Sequence, residues 1–127
     1  MTTQFRKFPT PKGSHHFMPI ELDFEKMNGL VPFILQHAYS REVLMVGFLD
    51  LAAWRATCET GILTMYRRTL GRLWVMGEED GQFVSITRIK VDCDNDTALF
   101  ETTVDFPICG HGYKSCFCTE LPVPVEH

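Results

Sequence analysis

Two kinds of metal ligand are crowded into the last third of this 127-residue sequence. Residues 92–96 read Asp-Cys-Asp-Asn-Asp, and Cys109 and Cys116 follow. Thiolates suit zinc, whereas carboxylate oxygens suit magnesium or calcium. The combination predicts a hydrolytic metal site in which a Lewis acid lies beside a charge-neutralising cation.

The spacing of the thiols is uninformative, but the loop between two of them is not. Cys93, Cys109 and Cys116 are sixteen and seven residues apart, unlike the short C-x-x-C spacing of zinc fingers. Two glycines bracket His111 between the second and third thiols, which indicates a loop shaped around a ligand. Three thiolates would suit a catalytic zinc, which keeps one position open for water. Cys118 is then either a packing residue, which we favour, or a fourth ligand.

The acidic run has a simpler interpretation as a polar turn, since Asp and Asn are preferred there. A calcium loop of the EF-hand type is excluded, because Thr97 and Thr103 stand where it needs Gly and Glu. If residues 82–91 and 97–104 form a hairpin, alternation places the aspartates on one side of its tip and Cys93 on the other.

The elements that position these residues follow from hydrophobic patterning. One helix is predicted at 51–60, with Asp50 as its N-cap and Gly61 at its C-terminal end. Cys58 is expected to be a small buried side chain on that helix. Short strands should pair antiparallel and form an α+β domain, mostly antiparallel sheet with one main helix. The predicted strands are 31–36, 42–48, 62–66, 72–76, 82–91 and 97–104.

Composition narrows the class of protein. A net charge of -4 argues against nucleic-acid binding, which requires a basic face. The sequence shows no apolar run near the roughly 20 residues that cross a bilayer and no signal peptide, so we expect a cytoplasmic protein without membrane association. A reducing compartment also argues against disulfides among the five cysteines. We predict an irregular arm at residues 1–20 and a single domain at residues 21–127.

Short stretches between residues 22 and 117 resemble, in order, the phosphoribosyl-AMP cyclohydrolase family of histidine biosynthesis. They include 29–32 (Gly-Leu-Val-Pro), 59–61 (Glu-Thr-Gly), 73–74 (Leu-Trp), 92–96 and 115–117 (Ser-Cys-Phe). The resemblance implies an intertwined homodimer with active sites shared between subunits and a requirement for Zn²⁺ and Mg²⁺. It also implies the reaction, in which a zinc-bound hydroxide attacks C6 and opens the N1–C6 bond of the adenine ring of phosphoribosyl-AMP.

The resemblance also implies a role for each site residue. The zinc ligands, drawn from both chains, would be Cys93, Cys109 and Cys116. The magnesium ligands would be Asp92, Asp94 and Asp96. The catalytic candidates are His111 and Glu78, and the substrate-binding candidates are Arg68, Trp74, Glu79 and Asp80.

The chain departs from the family pattern in two places. Where the family reads C-H-T-G, residues 109–112 read Cys-Gly-His-Gly, so His111 is either a displaced proton carrier or a loop residue. In the basic, hydroxyl-rich strip around L-W, Leu70 and Met76 replace cations, and Glu79 and Asp80 replace hydroxyls. Carboxylates repel phosphate. The comparison with the family pattern therefore predicts that the metal ligands are retained and that the substrate contacts are changed.

Three functions follow from these observations. The first is the family reaction itself. The second is a diverged metallohydrolase of the same fold that deaminates or opens another nitrogen heterocycle, with Glu79 and Asp80 contacting it. The third is a non-catalytic dimer held by zinc, for which a closed four-sulfur site with Cys118 would be diagnostic. The first is favoured, because a structural zinc would not require the aspartates or Glu78.

Overall fold

A computed structural model of the chain describes residues 22–124. The predicted arm at 1–20 lies outside the described residues. The described chain contains one helix and six strands, so the prediction of an α+β fold is confirmed. The elements are β1 (Val31–His37), β2 (Val43–Leu49), α1 (Leu51–Thr60), β3 (Thr64–Arg67), β4 (Arg72–Val75), β5 (Arg88–Val91) and β6 (Ala98–Thr102).

The strands form a four-stranded sheet in the order β2-β1-β6-β5 and a two-stranded sheet, β3-β4. Antiparallel pairing dominates, but β1 and β6 are parallel, with Phe33 opposite Ala98 and His37 opposite Thr102. The expectation of antiparallel pairing concerns strands that follow one another in sequence, and it is confirmed for β1–β2, β3–β4 and β5–β6. A parallel pair needs a long crossover, and residues 38–97 between these two strands provide it.

The predicted strand at 82–91 is only partly correct, because strand geometry is confined to Arg88–Val91. The preceding residues divide their backbone hydrogen bonds between two neighbours. Leu63 N–H donates to Val84 (2.9 Å), whereas Thr87 N–H donates to Glu101 (2.8 Å). A segment that crosses from the small sheet to the large one satisfies its backbone groups without forming a continuous ladder.

The helix begins and ends where predicted. Asp50 Oδ1 accepts a hydrogen bond from Ala53 N–H (2.8 Å), and Gly61 has a left-handed φ of 73°. The helix buries one face, including Trp54 and Cys58. Burial raises the pKa of Cys58, and the negative charge of neighbouring Glu59 adds to that effect, as expected for an inert core thiol.

The core lies between α1 and the large sheet. The Trp54 ring stacks on Phe100 at 6.4 Å between centroids, and Phe33 packs against Phe100 at 5.2 Å. Each is almost fully buried, and burial of such a side chain stabilises the fold by about 1.5–3 kcal/mol. The described residues include no helix with the length and apolar character needed to cross a membrane.

Candidate active site

The loop at 108–114 is a tight turn that presents Cys109. Cys109 N–H donates to Tyr113 (3.0 Å), and Gly112 N–H donates back to Cys109 (2.9 Å). Gly112 has a φ of 92°, which favours glycine. The Ile108 side chain is buried and anchors the loop, so the position of Cys109 is set by both packing and backbone hydrogen bonds.

His111 lies beside the Cys109 sulfur. Its backbone N–H donates to Sγ (3.4 Å), and its Nδ1 is 3.8 Å from Sγ. These contacts lower the pKa of Cys109, with the His111 backbone contributing most and its ring next. A lower pKa favours the thiolate, which is the metal-binding form of cysteine. His111 stands one position later than the histidine of the family pattern, but its ring still lies close to Cys109, because the segment is a turn and not a strand.

Cys116 is fixed against the edge of the large sheet. Its backbone N–H donates to Leu44 (2.7 Å), and Ser115 Oγ donates to Val43 (2.7 Å). Burial raises the pKa of Cys116, and the nearby charge of Cys109 raises it further. Cys109 therefore ionises more readily than Cys116, and a cation bound between them would favour ionisation of both thiols.

Residues 92–96 form the tip of the β5–β6 hairpin. Asp92 Oδ1 accepts hydrogen bonds from the backbone N–H groups of Asp94 (3.0 Å) and Asp96 (3.2 Å). One ligand atom each from Asp92, Cys93 and Asp94 lies within 4.8 Å of the others. The expectation that Cys93 faces away from the aspartates is wrong, because the turn ends the alternation of the strand.

Asp96 is engaged elsewhere. Its Oδ2 is 3.0 Å from Lys26 Nζ, and the hydrogen bond from Lys26 is the largest of the causes that lower the pKa of Asp96. The structure brings Asp92 and Asp94 together with Cys93, and it pairs Asp96 with a cation of the same chain.

A cavity of about 430 Å³ connects two regions that are far apart in sequence. Arg67 and Trp74 of the β3–β4 hairpin form one wall. The other walls are formed by five residues of segment 76–82, including Glu79 and Asp80, and by six residues of segment 106–112, including Cys109. Its size is within the usual range for small-molecule sites, about 300–1,000 Å³.

The side chains of the hairpin wall contact one another. The indole N–H of Trp74 donates to Glu79 Oε2 (3.0 Å), and the Arg67 guanidinium lies 4.6 Å from the centre of the Trp74 ring. Asp80 Oδ1 accepts from the backbone N–H of Gln82 (3.0 Å). Trp74, Glu79 and Asp80, all predicted to contact substrate, therefore lie on one surface.

Two other predicted site residues point away from the cavity. Glu78 forms an ion pair with Arg72 (3.0 Å) and accepts from Val75 N–H (3.2 Å), and these contacts lower the pKa of Glu78. The Arg68 guanidinium packs over the Phe48 ring at 4.3 Å. Arg67 lines the cavity in its place. Arg67 is the last residue of β3, whereas Arg68 lies in the turn that follows, so the two consecutive arginines are placed differently and only Arg67 lines the cavity.

The three predicted zinc ligands do not converge within one chain. Among residues 22–124, the single cluster of three candidate metal ligands is Asp92, Cys93 and Asp94. Cys109 and Cys116 are neighbours, but Cys93 belongs to the hairpin tip. The described residues therefore contain two separate groups of candidate metal ligands, one with two thiols and one with a thiol and two carboxylates.

A family model for phosphoribosyl-AMP cyclohydrolase matches residues 45–118, a span that includes every predicted site residue. The chain belongs to this family. Its cyclohydrolase-family relatives include the histidine biosynthesis bifunctional protein HisIE of Bacteroides thetaiotaomicron, which is 47% identical over 106 residues, 84% of this chain and 52% of the relative. The proteins of that name from Escherichia coli K12 and Staphylococcus aureus are 47% identical over 97 residues and 42% over 106.

The chain spans about half the length of these curated relatives; the match covers 48% of the Escherichia coli protein and 50% of the Staphylococcus aureus protein. The cavity is lined by Cys109, a predicted zinc ligand, and by Glu79 and Asp80, both predicted to contact substrate. A candidate metal ligand and candidate substrate-binding residues therefore face one space.

Proposed function

We propose that this protein is a phosphoribosyl-AMP cyclohydrolase, which hydrolyses the N1–C6 bond of the adenine ring. The observation that carries the proposal is the shared cavity, where Cys109 and the indole of Trp74 line the same space. An aromatic ring offers a stacking surface for a planar base, and a cysteine with a lowered pKa is suited to hold a metal ion beside it. A cytoplasmic location is part of this proposal.

Zinc would be held by Cys93, Cys109 and Cys116, and when bound it would supply a Lewis acid that acidifies water for attack on C6. The donor set fits zinc, because Cys109 favours the thiolate and Cys116 lies beside it. Magnesium would be held by Asp92 and Asp94, whose oxygens already converge. Asp96 would join them only by leaving Lys26.

The chain's own residues provide binding and proton transfer. Trp74, fixed by Glu79, positions the base, while Phe106 and Ile108 of segment 106–112 give the cavity an apolar wall. His111 contacts Cys109 and would deliver a proton to the leaving ring nitrogen. Glu78 is bound to Arg72 and holds the turn that carries Glu79, so we assign it a positioning role.

A homodimer would complete the zinc site, with Cys93 supplied by one copy and the other two cysteines by its partner. An apolar groove lined by Ile34, Val91 and Leu99 lies next to Asp92, and such a surface supports contact with a second chain at the hairpin tip. The separation of Cys93 from the other thiols within one chain supports the same arrangement.

The reaction is tested directly with purified protein. Protein loaded with zinc and magnesium should convert phosphoribosyl-AMP, and Cys109→Ser should abolish conversion. Cys118→Ser is the matched control, since a three-thiolate site predicts normal zinc content and normal turnover in that variant. Absence of turnover with both metals bound would refute the proposal, and loss of zinc from Cys118→Ser would favour a closed structural site.

The shared site is tested by mixing two inactive variants. Cys93→Ser and Cys109→Ser each lack one ligand, but a mixed dimer contains one complete site. Random assortment makes half of the dimers mixed, so activity should recover to about a quarter of the wild-type value. Cys109→Ser mixed with Cys116→Ser is the control, because both changes affect the same half of the site and no recovery should follow. Equal behaviour of the two mixtures would rule out sharing.

A second candidate function is hydrolysis of a different nitrogen heterocycle. It is favoured by the presence of Glu79 and Asp80 in the cavity wall, where carboxylates would oppose a phosphate. The variant Glu79→Thr with Asp80→Ser restores hydroxyls at these positions. If the second candidate is correct, this variant should gain phosphoribosyl-AMP turnover that the wild-type protein lacks.

A further inference from the structure

Two carboxylates in the cavity wall each retain a free oxygen. Glu79 uses Oε2 to accept from Trp74, and Asp80 uses Oδ1 to accept from Gln82. Within the described part of the chain, Glu79 Oε1 and Asp80 Oδ2 accept no hydrogen bond. Both residues line the cavity, so two negatively charged acceptors are available to a ligand there.

The charge of this cavity wall favours binding of a hydrogen-bond donor over binding of an anion. Arg67 is the one cationic side chain among the lining residues, and its guanidinium lies against the Trp74 ring. Neighbouring arginines are engaged elsewhere, Arg72 with Glu78 and Arg68 with the ring of Phe48. Two carboxylates against one guanidinium repel a phosphate and attract N–H groups, most strongly those of a cation.

We propose that Glu79 and Asp80 bind the protonated amidine edge of the adenine ring and not a phosphate of the substrate. The inference rests on the proposed function, which supplies an adenine substituted at N1. Such a substitution turns N1, C6 and N6 into an amidine, which becomes a planar, delocalised cation when protonated. The carboxylates accept hydrogen bonds from this edge while Trp74 supports the ring.

The binding mode has a consequence for reactivity. A protonated amidine has a more electrophilic C6 than the neutral form, so stabilising the cation prepares the carbon that water attacks. No bond is broken in this step, and the proton remains on the ligand. The phosphates are directed away from segment 76–82.

The test measures binding without turnover. Glu79→Gln with Asp80→Asn keeps the oxygens that Trp74 and Gln82 use, and it replaces the two free, charged oxygens with uncharged NH2 groups. Calorimetric titration would compare 1-methyladenosine, a cationic amidine without phosphate, with 1-methylinosine, its neutral counterpart. The wild-type protein should prefer the cation by about tenfold or more, as one charge-assisted hydrogen bond provides. The double variant should reduce the preference to within about twofold.

Two controls separate charge at the site from charge elsewhere. Glu59→Gln removes an exposed carboxylate at the end of α1, outside the cavity, and should leave the preference unchanged. AMP and adenosine report on the phosphate, and their affinity ratio should be the same in the wild-type protein and the double variant. The inference is overturned if the wild-type protein shows no preference for the cation or binds neither methylated nucleoside. It is also overturned if the double variant changes the AMP-to-adenosine ratio and leaves the preference intact.

The two proposals can fail separately. Lack of phosphoribosyl-AMP turnover together with a strong preference for 1-methyladenosine would refute the proposed function alone. Turnover without that preference would refute the amidine contact alone.

Discussion

The turn that carries Glu79 and Asp80 depends on Gly77, and replacing this residue with alanine should damage the cavity. Gly77 has a φ of 97°, and a Cβ there would lie 2.3 Å from the carbonyl oxygen of Gln82 and 2.5 Å from its carbonyl carbon. Both contacts are with backbone, so no side-chain rotation relieves them. The two sides of the turn would have to move apart by about 1 Å before the added Cβ reached an ordinary contact distance from Gln82.

Gly81 provides a matched control at the other end of the same turn. Its φ is 78°, but an added Cβ would meet nothing within 4 Å. Gly81→Ala should therefore cost only the left-handed backbone penalty, about 1–2 kcal/mol. Gly77→Ala carries that penalty and an overpacking cost of about 1–3 kcal/mol, for a total of about 2–5 kcal/mol in the free energy of unfolding.

Urea denaturation of both variants gives the two free energies, and titration with 1-methyladenosine reports on the cavity. Gly77→Ala should also weaken ligand binding, because separating the turn pulls Glu79 away from the Trp74 indole. Zinc content should not change, since the cysteines lie outside this turn. Equal destabilisation by the two substitutions would show that the contact with Gln82 does not constrain the turn, and the reasoning would fail.

Three further predictions concern stability and reactivity. The pKa of Glu78 is lowered in the folded protein, so the stabilisation from its carboxylate is complete above the ordinary value of 4.5 and is lost as the pH falls through the lower folded value. The Tm difference between the wild-type protein and Glu78→Gln should therefore shrink in acid. A difference that stays constant with pH would contradict this prediction. Cys58 should resist alkylation until the protein unfolds, as mass spectrometry of labelled peptides would show. Cys118 is exposed, so the prediction that it is a packing residue is wrong, and it should react in the native state. Asp50→Ala should lower the free energy of unfolding by about 1 kcal/mol through loss of the N-cap, and Asp50→Asn by less; equal losses would argue against capping.

Local signals made the helix and the hairpin tip predictable. Asp50 and Gly61 mark the ends of α1 by their own chemistry, and the structure confirms both. The tip at 92–96 likewise follows from a preference of Asp and Asn for turns. Each of these features is decided by residues within one or two turns of chain.

Long-range features could not be predicted from residue types. The Asp96–Lys26 ion pair joins positions 70 residues apart, and it removes a carboxylate that the family pattern assigns to magnesium. The choice between Arg67 and Arg68 depends on how the end of β3 and the turn that follows it lie against the cavity. The meeting of segments 76–82 and 106–112 depends on how the two sheets pack, which short patterns do not encode.

Three cations near the candidate site make contacts within the chain. Around the site, Lys26 is paired with Asp96 and Arg72 with Glu78, and Arg67 rests on Trp74. A phosphate would have to compete with these contacts for each of the three cations. In the proposed function, a magnesium ion at the hairpin tip or a second subunit would neutralise the phosphate charge, whereas the cavity wall would bind the base. In that proposal, carboxylates at 79 and 80 are compatible with a metal site at the cysteines, because phosphate binding and base recognition would occur on different surfaces.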